Sequence, residues 1–168
     1  MQPGESIPLM RMEAVDSGVN KTARDPGLVI REIGAEESSL HVTVASIGFD
    51  APETMFAKLM GPSAFALEGL HCYVGFVDGE PVTTAVGVID GEHVSIYNVA
   101  TLPSHRGRGY GAAITDAAVR NGFEEGASFA LLQSSEAGYG VYQALGFRTL
   151  EIWGTWVDPM GGPVGGNL

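Results

Sequence analysis

Arg106-Gly107-Arg108-Gly109-Tyr110-Gly111-Ala112 is the stretch on which the rest of the chain turns. Upstream of it, His71 to Asp78, Pro81 to Asp90 and His93 to Thr101 read as strands. They are separated by Asp78-Gly79-Glu80 and Asp90-Gly91-Glu92. Asp-Gly pairs between β-rich runs mark tight hairpins, so these strands form an antiparallel meander. Downstream the period changes. Ala112, Ala113, Ile114, Ala117, Ala118 and Val119 recur at helical spacing, with Asn121-Gly122 as the expected stop. The first N–H groups of a helix have no internal partner, and the helix dipole favours negative charge there. Glycines let such a turn approach a bulky anion and adopt conformations closed to other residues. The turn therefore reads as a cradle for phosphate or pyrophosphate. Two of the nine basic residues, Arg106 and Arg108, flank it and are expected to add charge-assisted hydrogen bonds. The competing reading is a tight turn with solvated arginines.

Beyond the turn, Ser128 to Gln133 reads as a short strand. Glu136 to Leu145 reads as a helix closed by Gly146, and Phe147 to Val157 as a long aromatic strand. A helix between two strands implies a parallel crossover, so the sheet is mixed and the fold is a layered α/β or α+β architecture. Leu28 to Ile33 is a further strand. Residues 35–69, broken by Pro52 and Pro62, hold one or two short helices, one of them starting at Ala51-Pro52-Glu53. The apolar run from Ile7 to Met12 is a strand detached from the rest by a polar connector, Asp16 to Pro26. The expected organisation is a strand-like segment and linker over 1–26, one domain over 27–158, and a flexible glycine-rich tail over 159–168.

Composition limits the partners. In 168 residues, 45% are hydrophobic and 17% charged, which excludes wholesale disorder. Nine Lys and Arg against twenty Asp and Glu give a net charge of −11, a poor basis for binding nucleic acid or an anionic membrane surface. Cys72 is the lone cysteine, so no internal disulfide framework exists, and the four histidines show no metal-ligand spacing. No apolar run reaches the ~18 residues of a membrane helix, and Met1-Gln2-Pro3-Gly4-Glu5 does not start a signal peptide. The expectation is a soluble cytoplasmic protein without a metal.

Gly107, Gly109 and Ala112 also satisfy the loose dinucleotide pattern G-x-G-x-x-A. Context argues against it. Such a turn follows its strand almost directly in a βαβ unit. Here Leu102 to Arg106 intervene, a meander precedes, and Glu124 and Glu125 come too soon for the ribose acid.

The same residues resemble the GNAT-type N-acetyltransferase superfamily, whose signature is Arg or Gln, two residues, Gly, one residue, then Gly or Ala. Arg106, Gly109 and Gly111 supply it, three residues after Pro103. Gly140-Val141-Tyr142-Gln143-Ala144-Leu145-Gly146-Phe147 is similar to the family's tyrosine-containing helix ending in Gly-Phe. The resemblance implies a GNAT-like, mostly antiparallel central sheet with helices on both faces and a splayed strand pair that binds CoA. It implies acetyl-CoA as acyl donor, with the pantetheine arm along Val99, Ala100 and Thr101. The amides from Arg106 through Gly107, Arg108, Gly109, Tyr110 and Gly111 to Ala112 would hold the pyrophosphate.

By the same resemblance Tyr142 is the general acid that protonates the departing thiolate, and a backbone N–H, expected at Val99, polarises the thioester carbonyl. Ser135 stands where many members carry an asparagine that contacts the cofactor, with Ser134 as its substitute. No carboxylate occupies the splayed strand Ser95-Ile96-Tyr97-Asn98, so the base is open among a water wire at Tyr97 and Asn98, His71, His93 and Glu92. Cys72 is the only candidate for covalent catalysis and reads as packing.

Family members end with two strands after the tyrosine helix, whereas one follows here. The segment Ile7 to Met12 is expected to supply the other, within the chain or by exchange between protomers, in a homodimer or a tandem arrangement. The functional expectation is an N-acyltransferase acting on an amine of a small molecule or protein. The alternative is a non-catalytic CoA-binding sensor or structural module.

Overall fold

A computed structural model of the chain describes residues 2–16 and 25–157. In chain order the elements are β1 (Gln2–Glu13), β2 (Leu28–Ile33), α1 (Ser38–Phe49), α2 (Glu53–Leu59), β3 (Leu70–Val77), β4 (Glu80–Asp90) and β5 (His93–Thr101). There follow α3 (Tyr110–Glu124), β6 (Phe129–Gln133), α4 (Glu136–Leu145) and β7 (Arg148–Val157). Among the described residues the strands form one seven-stranded sheet in the order β2-β3-β4-β5-β6-β1-β7. Only β5 and β6 pair in parallel; the other neighbours are antiparallel. The mixed sheet, the meander and the late crossover are as the sequence implies, and this topology is not a dinucleotide-binding one.

Around β3 and β4 the sheet is covered on both faces, as period-two burial requires. On β3, Tyr73 faces the core that β4, β5 and α3 build with Ala85, Val94, Ile114 and Ala118. Its neighbours Cys72 and Val74 face the opposite cluster with Ile33, Val86 and Met60, on which Leu40 of α1 packs. The hairpin turns take left-handed backbone at Asp78 (φ 51°), Gly79 (φ 84°) and Gly91 (φ 59°), as two-residue connections demand.

Two elements differ from the sequence reading. Gly122 does not stop α3, which runs on to Glu124 and ends before Gly126 (φ 104°). A Cβ at Gly122 would lie 2.5 Å from Val94 Cβ, so this glycine serves close helix–strand packing instead. The N-terminal segment is longer than Ile7 to Met12 and is not detached. β1 pairs with β6 through Leu9↔Gln133 to Glu13↔Phe129 and with β7 from Gln2↔Val157 to Arg11↔Arg148. It thereby fills the sheet between β6 and β7, burying Met10 and Met12 completely or nearly so. Connector residues 17–24 and the tail beyond 157 lie outside the described residues.

One irregularity positions the site. Thr84 pairs with Ala100 and Val86 with Tyr97, so Asn98 and Val99 together oppose Ala85 alone. That is a β-bulge, with Asn98 in left-handed backbone (φ 51°). On its other side β5 pairs with β6 only from His93↔Phe129 to Ile96↔Leu132. Beyond Ile96 the two strands part. Tyr97 to Thr101 keep an edge that β6 does not occupy.

Candidate active site

Gly107 (φ 75°) and Gly109 (φ 79°) both take left-handed backbone. A Cβ at either would meet nothing within 4 Å, so glycine is needed there for conformation, and the space beside the turn is open. Gly109 is the N-cap of α3, its carbonyl accepting from the Ala113 N–H at 3.0 Å, and no side chain caps the helix start. The amides of Tyr110, Gly111 and Ala112 are the first-turn donors that an α-helix cannot satisfy internally. They open on a cleft of about 590 Å³.

Eleven of the twelve sequence-predicted site residues line that one cleft. β5 contributes Val99, Ala100 and Thr101, and the turn contributes Arg106, Gly107, Gly109, Tyr110, Gly111 and Ala112; α4 and its cap contribute Ser135 and Tyr142. Arg108 does not line it. The two arginine side chains also make bonds within the protein. Arg106 donates from Nη2 to the Gly48 carbonyl (2.7 Å) and from Nε to the Thr101 carbonyl (3.3 Å), tying the end of α1 to the end of β5. Arg108 lies by Asp25, whose Oδ1 accepts from Gly27 N–H (2.9 Å) and whose Oδ2 accepts from the Tyr110 hydroxyl (2.7 Å). These two bonds, with the nearby Arg108 charge adding to them, hold the Asp25 carboxyl below its usual range. Peptide N–H groups and a helix terminus therefore face the cleft, which Arg106 also lines.

Sequence reading missed two lining residues. Gly48 and Phe49, at the end of α1, also line the cleft. A Cβ at Gly48 would sit 2.8 Å from Ala100 Cβ, so the glycine lets α1 lie on the bulged strand. Nothing in the sequence signals that contact, because it depends on where a helix crosses a strand some fifty positions away. Gly138 was also missed. Its Cβ would come within 2.9 Å of Tyr142 Cε2, so it makes room for the ring.

Tyr142 is 9% exposed and stands edge-on to Phe147, ring centroids 6.1 Å apart. Burial raises its pKa above the ordinary tyrosine value, and a hydrogen bond with Thr115 works in the opposite direction. The hydroxyl is thus held protonated at neutral pH. Ser135 caps α4, its Oγ accepting from the Gly138 N–H at 3.2 Å, which leaves its own proton free to donate into the cleft. Ser134 is buried and donates to the Ser135 carbonyl (2.7 Å).

The candidate bases separate. Tyr97 and Asn98 stand at the bulge. His93 begins β5, stacked on Phe129 at 5.6 Å, and Glu92 precedes it, about 25 Å of strand away from Thr101. His71 lies against Glu32 (2.9 Å) and near Glu125 (3.6 Å), by the far end of α3. Neither histidine nor Glu92 is brought to the cleft. Cys72 is fully buried and burial pushes its thiol up to about 12, which suits packing and not nucleophilic attack. Among the described residues no group of His, Cys, Asp or Glu is arranged to hold a metal, and no helix is long and apolar enough to cross a membrane.

The acetyltransferase (GNAT) family model matches residues 41–147, and the chain belongs to this family. No curated protein sequence matches it. Among solved structures it is similar to a GCN5-related N-acetyltransferase from Kribbella flavida, with 27% identity and a TM-score of 0.68 over 90% of this chain and 57% of that one. It is also similar to a Trypanosoma brucei acetyltransferase, with 24% identity and a TM-score of 0.64 over 78% of this chain and 99% of that one. A third is the aminoglycoside N-acetyltransferase AAC(6')-Iy in complex with CoA, with 20% identity and a TM-score of 0.67 over 83% and 99%. Several of the similar solved structures are longer: the chain spans 57% of the Kribbella protein and 46%, 60% and 63% of three others.

Proposed function

We propose that the protein transfers an acetyl group from acetyl-CoA to a primary amine of a small molecule or protein, by direct attack of the amine on the thioester. One observation carries the reading. An uncapped helix start, a bulged strand with an open edge and a buried protonated tyrosine all face the same cleft. The donor supplies an activated acyl group. The residues present fit it: the left-handed glycines leave open space where a diphosphate would approach, and Val99 to Thr101 offer strand backbone to an amide-containing arm.

In this reading the amides from Gly107 to Ala112 hold the diphosphate, and the Val99 N–H at the bulge polarises the acyl carbonyl. Tyr142 stabilises the departing sulfur. Burial keeps its hydroxyl protonated at neutral pH, so it is available as the general acid that passes a proton to the departing thiolate. Tyr97 and Asn98, beside the bulge, would order the water that takes the amine proton.

A lone buried thiol fits a reducing, cytoplasmic setting. The greater length of several structural relatives fits a tandem arrangement. The test is thiol release from acetyl-CoA across a panel of amines. Acetyl-CoA binding with amine-dependent thiol release is the expected result. Binding without release for any amine would instead mark a CoA-binding module.

A further inference from the structure

The sheet face opposite Tyr142 carries a second hollow that the donor cleft does not use. Register places Leu9 opposite Gln133, Leu131 opposite Ser95, and Ile7 opposite Trp153, so these side chains alternate away from the core that holds Met10, Ile96 and Leu132. α1 packs on β3, β4 and β5 and leaves this region open. There, where β6 leaves β5, a hollow of about 260 Å³ is lined by Tyr97, Trp153, Leu9 and Leu131, with Ser95 and Gln133 as its polar members. Tyr97 and Trp153 are 52% and 46% exposed, an unusual state for two aromatic rings converging on one small space.

Position and charge say what fits. Tyr97 precedes the bulge by one residue, so the hollow lies across the opened β5–β6 gap from Tyr142. No Lys or Arg lines it. The Trp153 indole donates to Glu151 Oε2 at 2.9 Å, which fixes a carboxylate at the rim beside the ring. The chain as a whole carries −11. Two aromatic walls, aliphatic flanks and a rim carboxylate complement a cation borne on an apolar body and offer little to a polyhydroxylated one.

We infer that this hollow seats the acceptor, and that the acceptor is a small amine on an apolar body of aromatic size, held between Tyr97 and Trp153. The inference rests on the acetyltransferase reading above and adds the class of substrate. Its test compares 2-phenylethylamine with glucosamine at saturating acetyl-CoA, following thiol release by the wild type, Tyr97→Ala, Trp153→Ala and Trp153→Phe. The expected result is a KM for 2-phenylethylamine at least about tenfold below that for glucosamine. Each alanine variant should raise it about tenfold with acetyl-CoA affinity unchanged, and Trp153→Phe should largely retain it. Both side chains are half-exposed, and unchanged acetyl-CoA affinity reports an intact fold. Preference for glucosamine, or alanine variants with unaltered KM, overturns the inference while leaving the acetyltransferase reading in place. Failure to bind acetyl-CoA sinks that reading instead. Even then, Trp153 emission in a Trp156→Phe background, titrated with 2-phenylethylamine alone, tests the hollow: a saturable change supports it and no change overturns it.

Discussion

Gly109→Val isolates the contribution of the helix start. The wild-type residue sits at φ 79°, where a Cβ would touch nothing within 4 Å, so the substitution introduces backbone strain without a clash. Left-handed backbone costs an ordinary residue about 1–2 kcal/mol, and a β-branched one sits at the upper end. At ~2–4 °C per kcal/mol for a chain of this size, the melting temperature should fall by about 4–8 °C, and the fold should survive. Binding should suffer far more. The strain is relieved by rotating the peptide, which turns N–H donors away from the diphosphate. A hydrogen bond to a charged group contributes roughly 1.5–3 kcal/mol, so losing two costs about 3–6 kcal/mol, or ~10²–10⁴-fold in affinity. Gly91→Val is the matched control, since Gly91 (φ 59°) also faces open space but lies in the β4–β5 hairpin turn. Calorimetric titration with acetyl-CoA reads both. Equal affinities in wild type and Gly109→Val, or equal losses in the two variants, would refute the assignment of the turn.

Tyr142→Phe removes only the hydroxyl and should lower kcat about 10²-fold with acetyl-CoA affinity kept; an unchanged kcat removes its role. Because its pKa is raised, Tyr142 should stay protonated beyond pH ~10, placing the loss of its donor in the pH–rate profile above that point. His41 is fully buried, with Nδ1 2.7 Å from Thr84 Oγ1, and burial lowers its pKa to about 4. The unfolded chain, titrating at about 6.5, then binds more protons between pH 6.5 and 4, so stability falls as pH drops through that window. The loss amounts to about 3 kcal/mol by pH 4. Urea midpoints should show it in wild type and much less in His41→Gln; identical pH slopes would contradict it. Truncation of residues 1–16 should remove the strand between β6 and β7, expose Leu132 and Phe147, and abolish cooperative unfolding. An undiminished melting temperature would show β1 to be dispensable.

The meander, the crossover and the turn were legible because each is written in a few adjacent residues. Asp-Gly pairs sit where the hairpins turn, and Gly107 and Gly109 sit where backbone goes left-handed before a helix. The family resemblance, not local chemistry, marked Tyr142 and Ser135, which lie in the same cleft as that turn. What the sequence hid is non-local. Gly122 reads as a stop by composition, but Val94 approaching to 2.5 Å of its virtual Cβ decides its role. Arg106 reads in sequence only as a phosphate partner, whereas α1 also delivers the Gly48 carbonyl to its guanidinium. Ile7 to Met12 was expected as the missing strand, and β1 supplies it within the chain; its exact place between β6 and β7 depends on pairings more than a hundred residues away. Trp153 drew attention only as part of an aromatic strand, since its convergence with Tyr97 needs the order β5-β6-β1-β7.

The central claim is that the unpaired amides opening α3 receive a diphosphate. Amide NMR of the labelled protein, titrated in parallel with CoA and with pantetheine, addresses it directly. The account predicts large shifts at Gly107, Gly109 and Gly111 with CoA, and small ones there with pantetheine, which lacks the diphosphate. Tight CoA binding that leaves those three resonances in place would contradict it.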